Sequence, residues 1–143
     1  MDNWLSEYAL ALSQLNSENL SELSMHLADE VEFRDPFTHT FTHAEFIQVL
    51  DDMFNRLDDV RFDIHSHIQS DHMGVLQWTF YASNKYTGEI KFDGMSQVFA
   101  DQEGKVTYHC DYWDASALME KVPLMGRVIG FMRKRMSHQK AQV

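Results

Sequence analysis

The sequence predicts an α+β domain: three N-terminal helices followed by a strongly curved antiparallel sheet that wraps a pocket of small-molecule size. Three observations carry this. Apolar residues recur at helical spacing up to Leu57, and from Asp59 onward the period changes to two. The strand-like runs follow one another across short turns, which implies an antiparallel meander. A chain of 143 residues with 44% hydrophobic and 13% aromatic content has the size and composition of one domain with a real core.

The elements follow in order. Asp2 or Asn3 caps a first helix running to about Leu15, with Leu5, Tyr8, Ala9, Leu12 and Leu15 on one stripe. Ser17 caps a short second helix carrying Leu20, Leu23 and Leu27. Val31–Asp35 alternates as a strand and stops at Pro36, which has no N–H for a ladder. Thr42-His43-Ala44-Glu45 forms a capping box, opening a third helix with Phe46, Ile47, Leu50, Met53, Phe54 and Leu57 at helical spacing. Val60–Ser70, Met73–Ser83, Lys91–Phe99 and Val106–Trp113 read as four strands. Asp114 caps a last helix that breaks near Pro123. The three first helices cover the concave side of the sheet.

Each strand has one apolar face and one mixed face. In the last strand Val106, Tyr108, Cys110 and Tyr112 alternate with Thr107, His109, Asp111 and Trp113. The second set has the polar-dotted aromatic character of a pocket wall. In the second long strand Leu76, Trp78, Phe80 and Ala82 oppose Gln77, Thr79 and Tyr81. We place Trp78, Phe80, Tyr108 and Tyr112 on the convex face, an apolar area too large to leave wet, and expect a homodimer to cover it.

Composition excludes several classes. The net charge of −10 opposes nucleic acid as a partner, since phosphate binding needs a basic face. No apolar run approaches the ~20 residues of a membrane span, so no integral membrane contact is expected. The start, Met1-Asp2-Asn3-Trp4, lacks a basic segment followed by an apolar one, so no leader is expected. With a single cysteine, Cys110, a cytoplasmic location is the expectation. The charge is uneven: residues 1–120 hold all 22 acids and 6 of the 12 Lys and Arg, whereas residues 121–143 hold 6 bases and no acid.

The Leu27-Ala28-Asp29-Glu30 and Arg34-Asp35-Pro36 segments, and the Gly104-Lys105-Val106 to Asp111-Tyr112-Trp113-Asp114 ending, carry a resemblance. Over residues 3–125 the chain resembles the nuclear transport factor 2-like superfamily. Its nearest relatives there look like the SnoaL-like polyketide cyclases, ketosteroid isomerases and limonene epoxide hydrolases. The resemblance implies a cone-shaped sheet, a domain over residues 1–125 and a basic tail over 126–143. It also implies a hydrophobic small-molecule ligand, with no cofactor. Asp35 falls where ketosteroid isomerases keep their proton-shuttling carboxylate, and Tyr8 matches their oxyanion-hole tyrosine. Ser96 stands where they keep a protonated aspartate. Asp111 resembles the acid/base carboxylate of the epoxide hydrolases, whose Arg and Asp are here Thr79 and Tyr81. What the resemblance implies is a cofactor-independent isomerase, cyclase or dehydratase, or a non-catalytic ligand-binding or protein-interaction domain of the same fold.

Two carboxylates in an apolar cavity suit proton abstraction beside a carbonyl, because burial and mutual repulsion keep one protonated while the other is a base. We expect Asp35, Asp111 and His109 to carry the chemistry, and Tyr8, Phe37, Thr79, Tyr81, Ser96 and Trp113 to contact the substrate. His39 with His43, and His65 with His67 on a shared strand face, lack a third ligand, so no metal is expected. Cys110, on the convex face, reads as an inert packed thiol. In the stretch Arg127–Met136, apolar residues are expected to pack on the domain while the bases offset its acidity.

Overall fold

The computed structural model describes residues 3–122 and 125–136. Its elements are α1 (Trp4–Ser13), α2 (Leu20–Ser24), β1 (Leu27–Arg34), β2 (His39–Thr40), α3 (His43–Arg56), β3 (Asp58–Ser70), β4 (Met73–Asn84), β5 (Gly88–Ala100), β6 (Val106–Trp113), α4 (Ala115–Met119) and α5 (Met125–Met136). The break expected at Pro123 falls outside the described residues.

The strands form one curved, unclosed sheet in the order β2-β1-β6-β5-β4-β3. The meander is antiparallel, as its short turns require. β1 departs from this, lying parallel to β6 with Phe33 opposite His109 and Arg34 opposite Cys110. Leu27, expected on the second helix, opens β1, because pairing with Val106 claims it. The unforeseen β2 folds back on β1 after Asp35, whose Oδ1 accepts from the N–H groups of Phe37 (2.8 Å) and Thr38 (2.7 Å). This side-chain-to-backbone turn is what Asp provides before a Pro.

The first three helices lie close to where the sequence puts them, but α1 ends at Ser13 with no side-chain cap from Asn3, and α2 opens after Asn19 rather than Ser17. Thr42 Oγ1 accepts from Glu45 N at 3.2 Å, and Glu45 Oε1 accepts from Phe41 N at 3.2 Å, a capping box displaced by one residue. α1 buries Trp4, Leu5, Tyr8, Ala9 and Leu12 against the sheet, and the Trp4 indole N–H is tied to the Asp71 carbonyl in the β3–β4 turn. α3 buries Phe46 and Leu50, with Phe46 stacked on Phe33 at 4.5 Å between ring centroids.

Cross-strand register decides which side chains look inward. Leu76 lies opposite Ser96, and Ser96 opposite Asp111; Trp78 lies opposite Gly94, and Gly94 opposite Trp113. Directly opposed residues share a face. The apolar set of β4 is therefore on the same inner side as Asp111, which corrects the placement of Trp78 and Phe80 on the convex face. Thr79 and Tyr81 move with the opposite set to the outer face, since a one-residue difference inverts every side chain. A bulge between Ile64 and Ser66 does the same to the histidine pair of β3. His65 reaches outward to Thr79, while His67 stays on the α1 side beside Ser6 and Leu10.

Candidate functional site

Between the inner sheet face, α3 and α4 lies a cavity of about 500 Å³. Its walls are Phe62, Trp78, Phe80, Ile90, Phe92 and Trp113 from the sheet, Met53 and Arg56 from α3 with Leu57 just after it, and Leu118 and Val122 from the C-terminal side. Asp35 and Phe37 close one side, and Asn84, Tyr86 and Thr87 stand at the β4–β5 turn. The rings interlock: Phe92 stacks on Trp113 at 4.3 Å, and Phe37 meets Trp113 edge-on at 5.7 Å. Gly94 is required here. A Cβ at that position would collide with the Trp78 indole, which lies across β5 to reach Ser96.

Asp111 stands where this cavity meets a deeper one of about 30 Å³, lined by Leu12, Phe33, Phe46, Ser96 and His109 and large enough for a water molecule. The deeper end carries a continuous hydrogen-bonded chain. The Trp78 indole N–H donates to Ser96 Oγ (2.8 Å), and the Ser96 hydroxyl donates to Asp111 Oδ1 (2.5 Å). His109 Nε2 lies 2.6 Å from the same Oδ1, and its Nδ1 lies 2.8 Å from the Tyr8 hydroxyl.

The tautomer follows from the two partners of His109, Tyr8 and Asp111. Tyr8 is fully buried, and burial, reinforced by the nearby charge of Asp111, holds its hydroxyl well above the ordinary phenol range. Tyr8 therefore keeps its proton, and the tautomer is set at the other end of the ring: a carboxylate only accepts, so the 2.6 Å contact with Asp111 Oδ1 calls for an Nε2–H, and in the neutral imidazole Nδ1 is then the acceptor for the Tyr8 hydroxyl. Every donor in the chain points towards one carboxylate oxygen. Oδ2 of Asp111 has no protein hydrogen bond among the described residues, and its side chain is 19% exposed. An anchored carboxylate with one free oxygen at an apolar cavity has the geometry to accept or deliver a proton.

Asp35 lines the same cavity. Burial raises its pKa above the usual carboxylate value; the Phe37 and Thr38 N–H groups oppose the shift and the charge of Asp111 adds to it.

Of the residues expected at the site, Asp35, Phe37, Asp111 and Trp113 share the large cavity, and Ser96 and His109 join Asp111 in the deeper one. Tyr8 sits behind His109 and contributes through it. Thr79 and Tyr81 do not line the cavity. Thr79 donates to Asp93 on the outer face, and Tyr81 lies under Arg61 at 4.2 Å from its ring centroid. Sequence reasoning missed Trp78, Phe80, Phe62 and Phe92. The strand register that would have turned the first two inward can be found by setting Asp111 opposite Ser96 and counting on to β4. Of the two histidine pairs, three members are individually engaged: His39 with Glu32, His43 with Ser24 and His65 with Thr79. Among the described residues no three His, Cys, Asp or Glu side chains converge in a metal-binding cluster.

The chain belongs to the SnoaL-like domain family, whose model matches residues 9–109. No curated protein matches it in sequence. Solved structures share the fold at low identity. An NTF2-like protein from Burkholderia thailandensis superposes with a TM-score of 0.74 at 11% identity, covering 83% of this chain and 94% of its own. A protein with a ketosteroid isomerase-like fold from Catenulispora acidiphila, in complex with trimethylamine, gives 0.71 at 12% identity, covering 84% and 93%. A protein provisionally assigned as a SnoaL-like polyketide cyclase, from Shewanella denitrificans, gives 0.69 at 14% identity, covering 84% and 94%.

Proposed function

We propose that this protein is a cofactor-independent isomerase, cyclase or dehydratase acting on a hydrophobic, carbonyl-bearing small molecule. Asp111 is its principal acid/base, His109 and Ser96 hold that carboxylate, and Asp35 is a second carboxylate at the same substrate. The supporting observation is the Asp111 carboxylate at an aromatic-lined cavity, bonded on one oxygen and free on the other. In this reading the site belongs to the unit 1–125, with 126–143 as a basic tail that Arg133 ties back to Asp114 and Glu120.

A second reading, a ligand-binding domain without catalysis, has its own supporting observation. The two hydroxyls best matched to oxyanion stabilisation are both turned inward, Tyr8 to His109 and Ser96 to Asp111. Denaturing mass spectrometry of the purified protein identifies a captured ligand, whose affinity and conversion are then compared in wild type, Asp111→Asn and Asp35→Asn. Removal of one acid/base group slows turnover by about 10²–10⁴-fold, whereas affinity, set by apolar contacts with Trp113, Phe37 and Trp78, changes little. Tight binding with no conversion by the wild type favours the second reading.

We also assign a two-fold homodimer through the outer sheet face. There Ile68, Met73, Met95, Phe99 and Tyr112 are all exposed, more apolar surface on one face than a monomer usually presents.

A further inference from the structure

α5 turns the wrong way for a helix packed on a domain. Gly126, Gly130 and Arg133 follow one another at helical spacing along one stripe. Two of the three meet the body. Gly126 abuts the Glu120 carbonyl, where a Cβ would collide, and Arg133 pairs with Asp114 at 2.8 Å and Glu120 at 3.0 Å. The stripe away from the body carries Val128, Phe131, Met132 and Met136, which are 53%, 62%, 51% and 76% exposed. Arg127, Lys134 and Arg135 are exposed among and beside them. For Val128, Phe131, Met132 and Met136 the expectation that the apolar residues pack on the domain is overturned, the Ile129 side chain lying outside the described residues: the helix's only ion pairs among the described residues tie it down from the polar side.

We propose that α5 docks this protein on an anionic phospholipid surface, lying in the plane of the interface. Exposed apolar side chains interleaved with bases on one helical stripe fit the boundary between acyl chains and phosphate headgroups. There the apolar groups leave water while the bases meet negative charge. Charge separation along the chain sets the orientation. The six bases and no acids of residues 121–143 contrast with a body carrying all 22 acids, so the molecule approaches an anionic surface helix first. Repulsion of the body is screened beyond about 8 Å at physiological salt. The acidic body disfavours a polyanion that wraps several faces, such as nucleic acid, and a flat surface touching only α5 avoids that cost.

The test is flotation of the full chain with phosphatidylcholine vesicles, with and without phosphatidylserine. Binding is expected to the mixed vesicles alone and to fall as salt is raised. Each base near the surface contributes about a fivefold gain in binding, so the triple variant Arg127→Gln, Lys134→Gln, Arg135→Gln is expected to bind on the order of a hundredfold more weakly. Phe131→Ser, at an exposed position, is expected to weaken binding by roughly tenfold, as the loss of one buried large apolar side chain implies. Unchanged emission from the three tryptophans, Trp4, Trp78 and Trp113, confirms that the domain is intact in each variant. Four results overturn the proposal: no binding to the mixed vesicles, equal binding to neutral ones, binding that survives the triple variant, or salt-dependent binding to RNA or an acidic protein in the absence of vesicle binding.

Discussion

Asp111 is held by Ser96 and His109 on one oxygen, and His109 is held in turn by Tyr8. Each link has a measurable cost. Tyr8→Phe removes a hydroxyl from a fully buried site and leaves His109 Nδ1 without its donor. A buried acceptor left unpaired costs about 1–3 kcal/mol, so urea denaturation is expected to show a loss of that size. Asp35 makes a different prediction. Its raised pKa means that the folded chain holds that proton more tightly than the unfolded chain. Stability therefore falls as pH rises from the ordinary carboxyl value of about 4 towards the raised one, and stays lower above it. Asp35→Asn keeps an oxygen for the Phe37 and Thr38 N–H groups but abolishes the titration. Its thermal midpoint is expected to exceed that of wild type near neutral pH and to match it in acid. A variant destabilised at neutral pH would show that the carboxylate charge is needed by the turn.

The strands show what could be read from the chain and what could not. The helices, the four long strands and their turns were legible because periodicity and capping are local properties. Asp114 caps α4 through Ser116 N, and Thr42 caps α3, at the residues where the sequence signals stand. The partition of β6 into a His109–Asp111–Trp113 face was legible for the same reason. Alternation says which residues share a face, not which face is inside. For β4 the answer lies in two successive registers, Leu76 to Ser96 and Ser96 to Asp111, and pairing is not a local property. The bulge that separates His65 from His67 leaves no signature in residue types, and parallel pairing of β1 with β6 joins segments some 75 positions apart. Gly94 is the position where register can be tested. Gly94→Ala drives a methyl into the Trp78 indole. Overpacking of this kind costs about 1–3 kcal/mol and displaces Trp78 from Ser96. Reduced stability with altered tryptophan emission is expected; an unperturbed protein would contradict the inward placement of Trp78.

At the scale of the molecule, the two sheet faces differ in what they present. The inner face, α3 and α4 enclose the cavity. The outer face keeps Ile68, Met95 and Tyr112 exposed, and burying them against a second copy is the predicted assembly. Light scattering at micromolar concentration is expected to give the dimer mass, and Tyr112→Glu with Met95→Glu to give the monomer. A monomeric wild type would leave the outer face without that role. The central claim, that Asp111 moves protons at a carbonyl compound in the cavity, has a direct measurement in hydrogen–deuterium exchange. A panel of hydrophobic ketones and enones is incubated in D₂O, and exchange of the hydrogens next to the carbonyl is followed by NMR. Wild-type protein is expected to accelerate that exchange for the compounds it binds, and Asp111→Asn to bind them comparably while losing the acceleration. Tight binding by the wild type without exchange, or exchange undiminished in Asp111→Asn, would contradict it.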